Sequence, residues 1–311
     1  MNTDTNARVS AETVARMNAR TNAETVAQMK AGTNARVNAR TVARTVARTV
    51  ARSRRTAVAV LVAAGLAVTG CGAGDGRETG SGGEGRVTGP VTVFAAASLT
   101  ESFTRIGKDF EAANPGSRVT LNVAGSSALA NQITQGAPAD VFASAAPANM
   151  TTVIEAGDAD GTPSVFARNQ LVIAVPRGNP KAVTGLADLT SPGVKVALCA
   201  SQVPCGAAAR TALDAAGVAL TPVTLEQDVK GALAKVKLGE VDAAVVYRTD
   251  TRAASADVTG VEFPESARAI NDYPIVALKD APNPNGARAF VAYVRSAPAQ
   301  AVLAEAGFQA P

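Results

Sequence analysis

Residues 91–103 read VTVFAAASLTESF. The run VTVFAA (91–96) is β-branched and aromatic, which predicts a short buried strand. Ser98-Leu99-Thr100-Glu101 follows in capping-box form, so an amphipathic helix is predicted to about Ala113, where Pro115-Gly116 ends it. A strand that passes straight into a helix, with a small polar residue at the joint, is the unit from which α/β folds are built.

The unit recurs along the chain. RVTLNVA (118–124) is a strand, and Ser126-Ser127 opens a helix through Ile133 that Gly136 stops. VFASA (141–145) leads to a helix at about 147–156, and NQLVIAVP (169–176) is a strongly apolar strand. VKVALCA (194–200) precedes the helix CGAAARTALDAAG (205–217), and Asp228 caps VKGALAKVKLG (229–239) ahead of the strand VDAAVVY (241–247). VTGVEFP (258–264) and YPIVAL (273–278) are strands, and two helices fill 285–306 with Pro298 between them. Repeated β-α-β units predict an α/β protein with largely parallel sheets covered on both faces. Four helices begin directly after a strand, at Ser98, Ser126, Pro204-Cys205-Gly206 and Asp228-Val229. Helix N-termini expose unpaired N–H groups and the positive end of the dipole, so several converging ones make an anion site without a formal charge. α/β proteins start helices this way whether or not an anion is bound, so the pattern leaves both readings open.

Working back towards the N-terminus, the character of the chain changes. Residues 1–55 are low-complexity, with TVAR at 13–16, 41–44, 45–48 and 49–52, and nothing large and apolar from which to build a core. They read as a disordered tail or an over-extended start upstream of the true leader; a basic arm for lipid headgroups or nucleic acid is the alternative. Arg52, Arg54 and Arg55 then precede the uncharged run TAVAVLVAAGLAVTG (56–70), the pattern of a secretory signal. As a helix the run spans roughly 22 Å, short of the ~30 Å hydrocarbon core. It ends in Val68-Thr69-Gly70-Cys71, which resembles a bacterial lipobox. That resemblance implies diacylation of Cys71 and anchoring on the outer face of the cytoplasmic membrane, the only membrane contact expected. Residues 71–90 are Gly-rich and read as a flexible tether.

Composition narrows the function. The 311 residues carry 30 Lys and Arg against 26 Asp and Glu, a net +4, but residues 1–55 hold eleven basic and three acidic residues. The remainder has 19 basic and 23 acidic, a net −4, so no nucleic-acid partner is expected. The chain has no His, which removes Ser-His-Asp and Cys-His nucleophile systems, His-ligated zinc and imidazole proton shuttles. There is no Trp and there are only three Tyr, too few for aromatic platforms that stack single-stranded nucleic acid. No enzyme and no cofactor is expected; an exported Ser hydrolase lacks both His and a G-x-S-x-G elbow.

The segments VTVFAAASLTESF (91–103), AGSSALANQITQGAPADVFASA (124–145), VPCGAAARTAL (203–213), QDVKGALAKVKLGEVDAAVVYRTD (227–250) and YPIVAL (273–278) carry a family resemblance. In order and spacing, residues 91–311 resemble the molybdate-binding proteins of bacterial molybdate ABC transporters. The resemblance implies a two-lobed, type II periplasmic binding fold, in which two α/β domains close on one tetrahedral oxyanion. LVIAVP (171–176) and DYPIVA (272–277) look like the crossovers, which assigns lobe one to 91–174 plus 273–311 and lobe two to 175–272. The resemblance also implies the ligand set: hydroxyls of Ser98, Ser126 and Tyr247, and backbone N–H groups of Cys205 and Val229. Ser127 is a further, less defined donor. No side chain would bind the metal atom directly. Molybdate or tungstate would be delivered, by a monomer, to an ABC permease.

A site of neutral donors offers nothing to accept a ligand proton, so it favours an oxyanion that is fully deprotonated at neutral pH. Sulfate and thiosulfate meet that condition too, and remain the alternative ligands. The export signal places Cys199 and Cys205 where disulfides persist, and a bridge between them is expected. A redox role for the pair lacks a CxxC motif.

Overall fold

The computed structural model describes residues 87–311. The low-complexity segment 1–55, the predicted signal 56–70, Cys71 and the tether as far as residue 86 lie outside the described residues. No described helix is long and apolar enough to cross a membrane.

The first sheet contains Gly89–Ala96 (β1), Ser117–Ala124 (β2), Val141–Ala143 (β3) and Ala159–Asn169 (β4). The second contains Leu171–Pro176 (β5), Val196–Cys199 (β6), Thr224–Glu226 (β7), Ala243–Tyr247 (β8) and Val258–Val261 (β9). Asn271–Leu278 (β10) returns to the first sheet. The strand orders are β2-β1-β3-β10-β4 and β7-β6-β8-β5-β9. The helices among the described residues are Thr100–Ala113 (α1), Ser126–Thr134 (α2), Pro147–Glu155 (α3), Pro204–Ala216 (α4), Val229–Lys237 (α5), Arg248–Ala253 (α6), Pro284–Val294 (α7) and Ala297–Ala306 (α8).

The class is α/β, and each sheet has four strands running in one direction and one reversed strand. In the first sheet β1 pairs parallel with β2 and β3, while β10 is antiparallel to both β3 and β4. The second repeats this plan: β6 is parallel to β7 and β8, and β5 is antiparallel to β8 and β9. The odd strand in each sheet is the one that arrives from the other lobe. Its direction is set by the crossing, not by a right-handed β-α-β step.

The crossing itself differs from the expected boundary at 174. β5 pairs with β8 from its first residue, Leu171 opposite Tyr247, so all of LVIAVP belongs to the second sheet. Gln170 alone separates it from β4. On the return, Asn271 already pairs with Asn169, two residues before the expected start at 273.

Strand alternation builds two cores on the first sheet. Val91, Val93 and Ala95 of β1 face Phe103, Ile106 and Phe110 of α1 and Phe290 of α7, whereas Phe94 faces Leu129 and Ile133 of α2 and Val153 of α3. Covering both faces is what lets these strands be apolar at nearly every position. Aromatic rings concentrate on the first of these faces. Phe103, Phe110, Phe166, Phe290, Tyr273 and Phe308 meet tilted or edge-to-face at 5.3–6.3 Å between centroids, a favoured aromatic geometry. The second sheet packs mainly Val, Ala and Leu, with Phe263 and Tyr247 as its aromatics.

Candidate functional site

The carboxyl ends of the parallel strands converge from both lobes. β1 ends at Ala96 and a short 3-10 turn, Ala97–Leu99, carries Ser98; β2 ends at Ala124 and α2 starts at Ser126. From the other sheet, β6 and β7 lead towards α4 and α5, and Tyr247 closes β8. Ligands of open α/β sheets collect at such strand ends. Here Ser98, Ser126, Cys205, Val229 and Tyr247, all five predicted site residues, line one cavity of about 200 Å³ including its mouth. Ser127 is not among its lining residues.

The two serines do not cap helices, which corrects the capping-box expectation at Ser98. The N-cap of α1 is Leu99 and that of α2 is Gly125, and neither makes a side-chain cap bond. Each Ser Oγ instead has an internal partner. The Ala145 N–H donates to Ser126 Oγ at 3.0 Å, leaving the Ser126 proton for another acceptor. Ser98 Oγ lies 2.9 Å from the Tyr273 hydroxyl. Both serines are buried.

Lobe two contributes backbone donors and a phenol. Pro204 occupies the first turn of α4, where its missing N–H costs nothing, and the Cys205 N–H next to it has no acceptor within the helix. α5 is capped by Asp228, whose Oδ1 accepts the Gly231 N–H at 2.9 Å. That bond turns the one carboxylate among the lining residues back onto its own helix, and the Val229 N–H is left unpaired by helix geometry. Tyr247 is 1% exposed, and its hydroxyl has no hydrogen-bond partner. A buried, unpaired hydroxyl costs about 1–3 kcal/mol; one that lines a cavity is placed to donate into it. Burial pushes the Tyr247 phenol well above its ordinary pKa, with Tyr273 and Asp250 adding to the shift, so it stays a proton donor at any physiological pH.

A charged cluster crosses between the lobes beside the cavity. Lys230 of α5 reaches Glu101 of α1 at 2.8 and 2.9 Å, and Asp250 of α6 at 3.1 Å. Asp250 is buried and also accepts the Tyr247 N–H at 3.1 Å. Burial lowers the Lys230 pKa, but Asp250 and Glu101 more than reverse it and leave it raised. Burial outweighs Lys230 at Asp250 and leaves that carboxyl above its usual range. The local cation is thus committed to two carboxylates, and the cavity is served by neutral N–H and O–H donors.

Cys199 at the end of β6 and Cys205 in the first turn of α4 form a disulfide, with Cα atoms 5.8 Å apart. It ties the helix N-terminus to the strand that precedes it. Closing so short a loop stabilises by about 2–2.5 kcal/mol on the chain-entropy account. Replacing both cysteines by serine is expected to lower Tm by roughly 5–10 °C, which differential scanning calorimetry reads directly. The Cys205 amide survives the change, so affinity should alter much less than stability.

Asn169, Thr249 and Tyr273 stand directly behind the site and were not identified from sequence. Their link to Ser98 joins positions 104 and 175 residues apart, and no local motif signals it.

The model of the family described as bacterial extracellular solute-binding protein matches residues 91–309. The molybdate-binding protein ModA of Mycobacterium tuberculosis is 48% identical over 221 residues, 71% of this chain and 85% of that protein. Among solved structures, the periplasmic molybdate-binding protein of Azotobacter vinelandii superposes with a TM-score of 0.62 at 20% identity, over 71% of this chain and 99% of that one. The sulfate-binding protein SubI of Mycobacterium tuberculosis gives 0.61 at 19% identity, over 71% and 86%. At those identities the two structures speak for the fold, a two-lobed periplasmic binding fold, and not for the anion.

Proposed function

The chain belongs to the family of bacterial extracellular solute-binding proteins, and from that premise we propose that it captures molybdate, and tungstate with it, outside the cytoplasmic membrane and delivers it to an ABC importer. The observation that carries the reading is the cavity: small, formed between two lobes, and lined by neutral donors from both. Ser98 and Ser126 donate from lobe one; the Cys205 and Val229 amides and the Tyr247 hydroxyl donate from lobe two. Each such bond to a charged oxygen contributes about 1.5–3 kcal/mol, and together they replace the hydration shell of one dianion. Bridging both lobes, the anion favours the closed arrangement by its differential affinity for it. The preference for molybdate over sulfate rests on the 48%-identical ModA relative, because charge and donor requirements are alike for the two anions. Cys71 would hold the protein to the membrane by lipid, with 72–90 as tether, and the protein would act as a monomer.

Calorimetric titration with molybdate, tungstate, sulfate and phosphate tests this. Molybdate and tungstate should bind far more tightly than the other two; sulfate binding as tightly as molybdate would overturn the choice of ligand. Tyr247→Phe removes one donor and keeps the ring, so molybdate affinity should fall roughly 10- to 100-fold. Unchanged affinity in that variant would remove Tyr247 from the site.

A further inference from the structure

Tyr273 and Asn169 lie outside the cavity lining, yet both are buried with 0% exposure and are bonded in sequence to a group that lines it. The Gln170 N–H donates to Asn169 Oδ1 at 3.0 Å. A backbone N–H can only donate, so it fixes which end of the amide is oxygen. Asn169 Nδ2 is therefore turned the other way, and its two hydrogens go to Thr249 Oγ1 at 2.9 Å and the Tyr273 hydroxyl at 3.4 Å. The Tyr273 oxygen thus accepts from Asn169. Ser98 Oγ lies 2.9 Å from the Tyr273 hydroxyl, a distance at which either oxygen can donate, and the Asn169 N–H on the Tyr273 oxygen favours the polarity in which Tyr273 donates. In that polarity Ser98 accepts from Tyr273, and its own proton is left for an acceptor in the cavity that it lines. Ser126 has the same polarity, fixed by the Ala145 N–H.

The geometry points to Tyr273, oriented by Asn169, as a positioning residue that fixes Ser98 as a donor and so makes the site reject oxyanions that carry a proton. The inference rests on the oxyanion reading of the site and adds to it the residue that sets the protonation state of the anion accepted. Without that bond the Ser98 hydroxyl is free to rotate and offer its oxygen to a ligand O–H. Tyr273 is itself rigidly placed. Its ring meets Phe166, Phe308 and Tyr247 edge-to-face at 6.3, 5.4 and 6.0 Å. Burial raises its pKa, so the proton stays on its oxygen. The contact with Tyr247 and the bond from Asn169 to Thr249 place this chain of bonds where the two lobes meet.

The test uses Tyr273→Phe, which keeps the ring contacts, and Asn169→Asp, which reverses the chain of bonds. The ionised carboxylate that Asn169→Asp introduces accepts the Tyr273 proton, so Ser98 must donate to Tyr273 and turn its lone pairs to the cavity. Affinities are measured at mildly alkaline pH, where hydrogen phosphate and molybdate carry the same double charge, so any general repulsion cancels in their ratio. The ratio of molybdate to hydrogen phosphate affinity should fall at least tenfold in Tyr273→Phe and further in Asn169→Asp. In a Ser98→Ala background, Tyr273→Phe should have no further effect on that ratio, because its action runs through Ser98. A ratio that does not change, or the same fall with Ser98 absent, overturns the inference. A wild-type protein that prefers sulfate would overturn the molybdate reading and leave this test intact with sulfate as reference. One that binds hydrogen phosphate as well as either would overturn the inference itself.

Discussion

Gly125→Ala is expected to weaken molybdate binding by roughly a hundredfold or more while leaving the melting temperature of the ligand-free protein within about 2 °C of wild type. Gly125 is the N-cap of α2, with φ −59° and ψ 135°, a conformation any residue adopts. The obstacle lies across the cleft. A Cβ at this position would fall well inside van der Waals contact with the Gln227 carbonyl oxygen of the other lobe, and 3.6 Å from Asp228 Cβ. Those atoms are backbone and capping residue, held by the Asp228–Gly231 bond, and they cannot swing aside. The lobes can move apart, however, because one residue, Gln170, carries the first crossing. An alanine therefore costs the folded lobes little and opposes their approach. If even two charge-assisted donors are lost, about 3 kcal/mol goes, roughly a hundredfold in Kd. Calorimetric titration measures this, and a thermal melt with excess molybdate checks it independently, since ligand raises Tm only as far as it binds. Gly185→Ala, at an extended glycine with nothing within 4 Å of the added carbon, serves as the neutral control. Binding within threefold of wild type in Gly125→Ala would show that the lobes do not need this approach to hold the anion.

What was legible in the sequence followed from local chemistry. Strand composition and helix punctuation located β1, β2, β3, β5, β6, β8, β9 and β10 because each is a short apolar run ended by a breaker. The three-residue β7 was missed, and so was β4: Gly161 and Pro163 interrupt it, and no alternation marks it. It tolerates that proline because it is the edge strand of its sheet, where a missing N–H breaks no ladder on the outer side. Ser98 and Ser126 were legible as residues at strand–helix joints, but not in their hydrogen bonding. Their partners, the Tyr273 hydroxyl and the Ala145 amide, both come from other segments. The Lys230 bridge to Glu101 spans 129 positions and, unlike those two bonds, joins the two lobes. Pattern reading reached the groups that line the cavity; the partners of the two serines come from strands and loops of the same lobe that are distant in sequence and meet only once the first sheet is assembled.

Gly206→Ala should damage both stability and binding, in contrast to Gly125→Ala. Gly206 lies in the first turn of α4, pressed against the end of β6. An added Cβ would sit 2.6 Å from Cys199 O and from the Ala200 carbonyl carbon, and closer still to the Ala200 oxygen. That backbone has little room to yield. The Ala200 N–H is bonded to Glu226 O at 2.8 Å, and Ala200 O accepts the Val203 N–H at 2.9 Å. The Cys199–Cys205 disulfide closes the loop over the same few residues. Overpacking against such neighbours costs about 3 kcal/mol or more, a Tm loss of roughly 6–12 °C for a domain of this size. The relaxation that remains is for α4 to back away from the strand, and it takes the Cys205 amide out of the cavity as it goes. Molybdate affinity should then fall by an order of magnitude or more even in the fraction that is folded. In a Cys199→Ser/Cys205→Ser background the loop can open, and the cost of Gly206→Ala should shrink, a coupling that a double-mutant cycle on Tm resolves. If the single variant melts within about 2 °C of wild type, the strand–helix clamp is looser than these distances require.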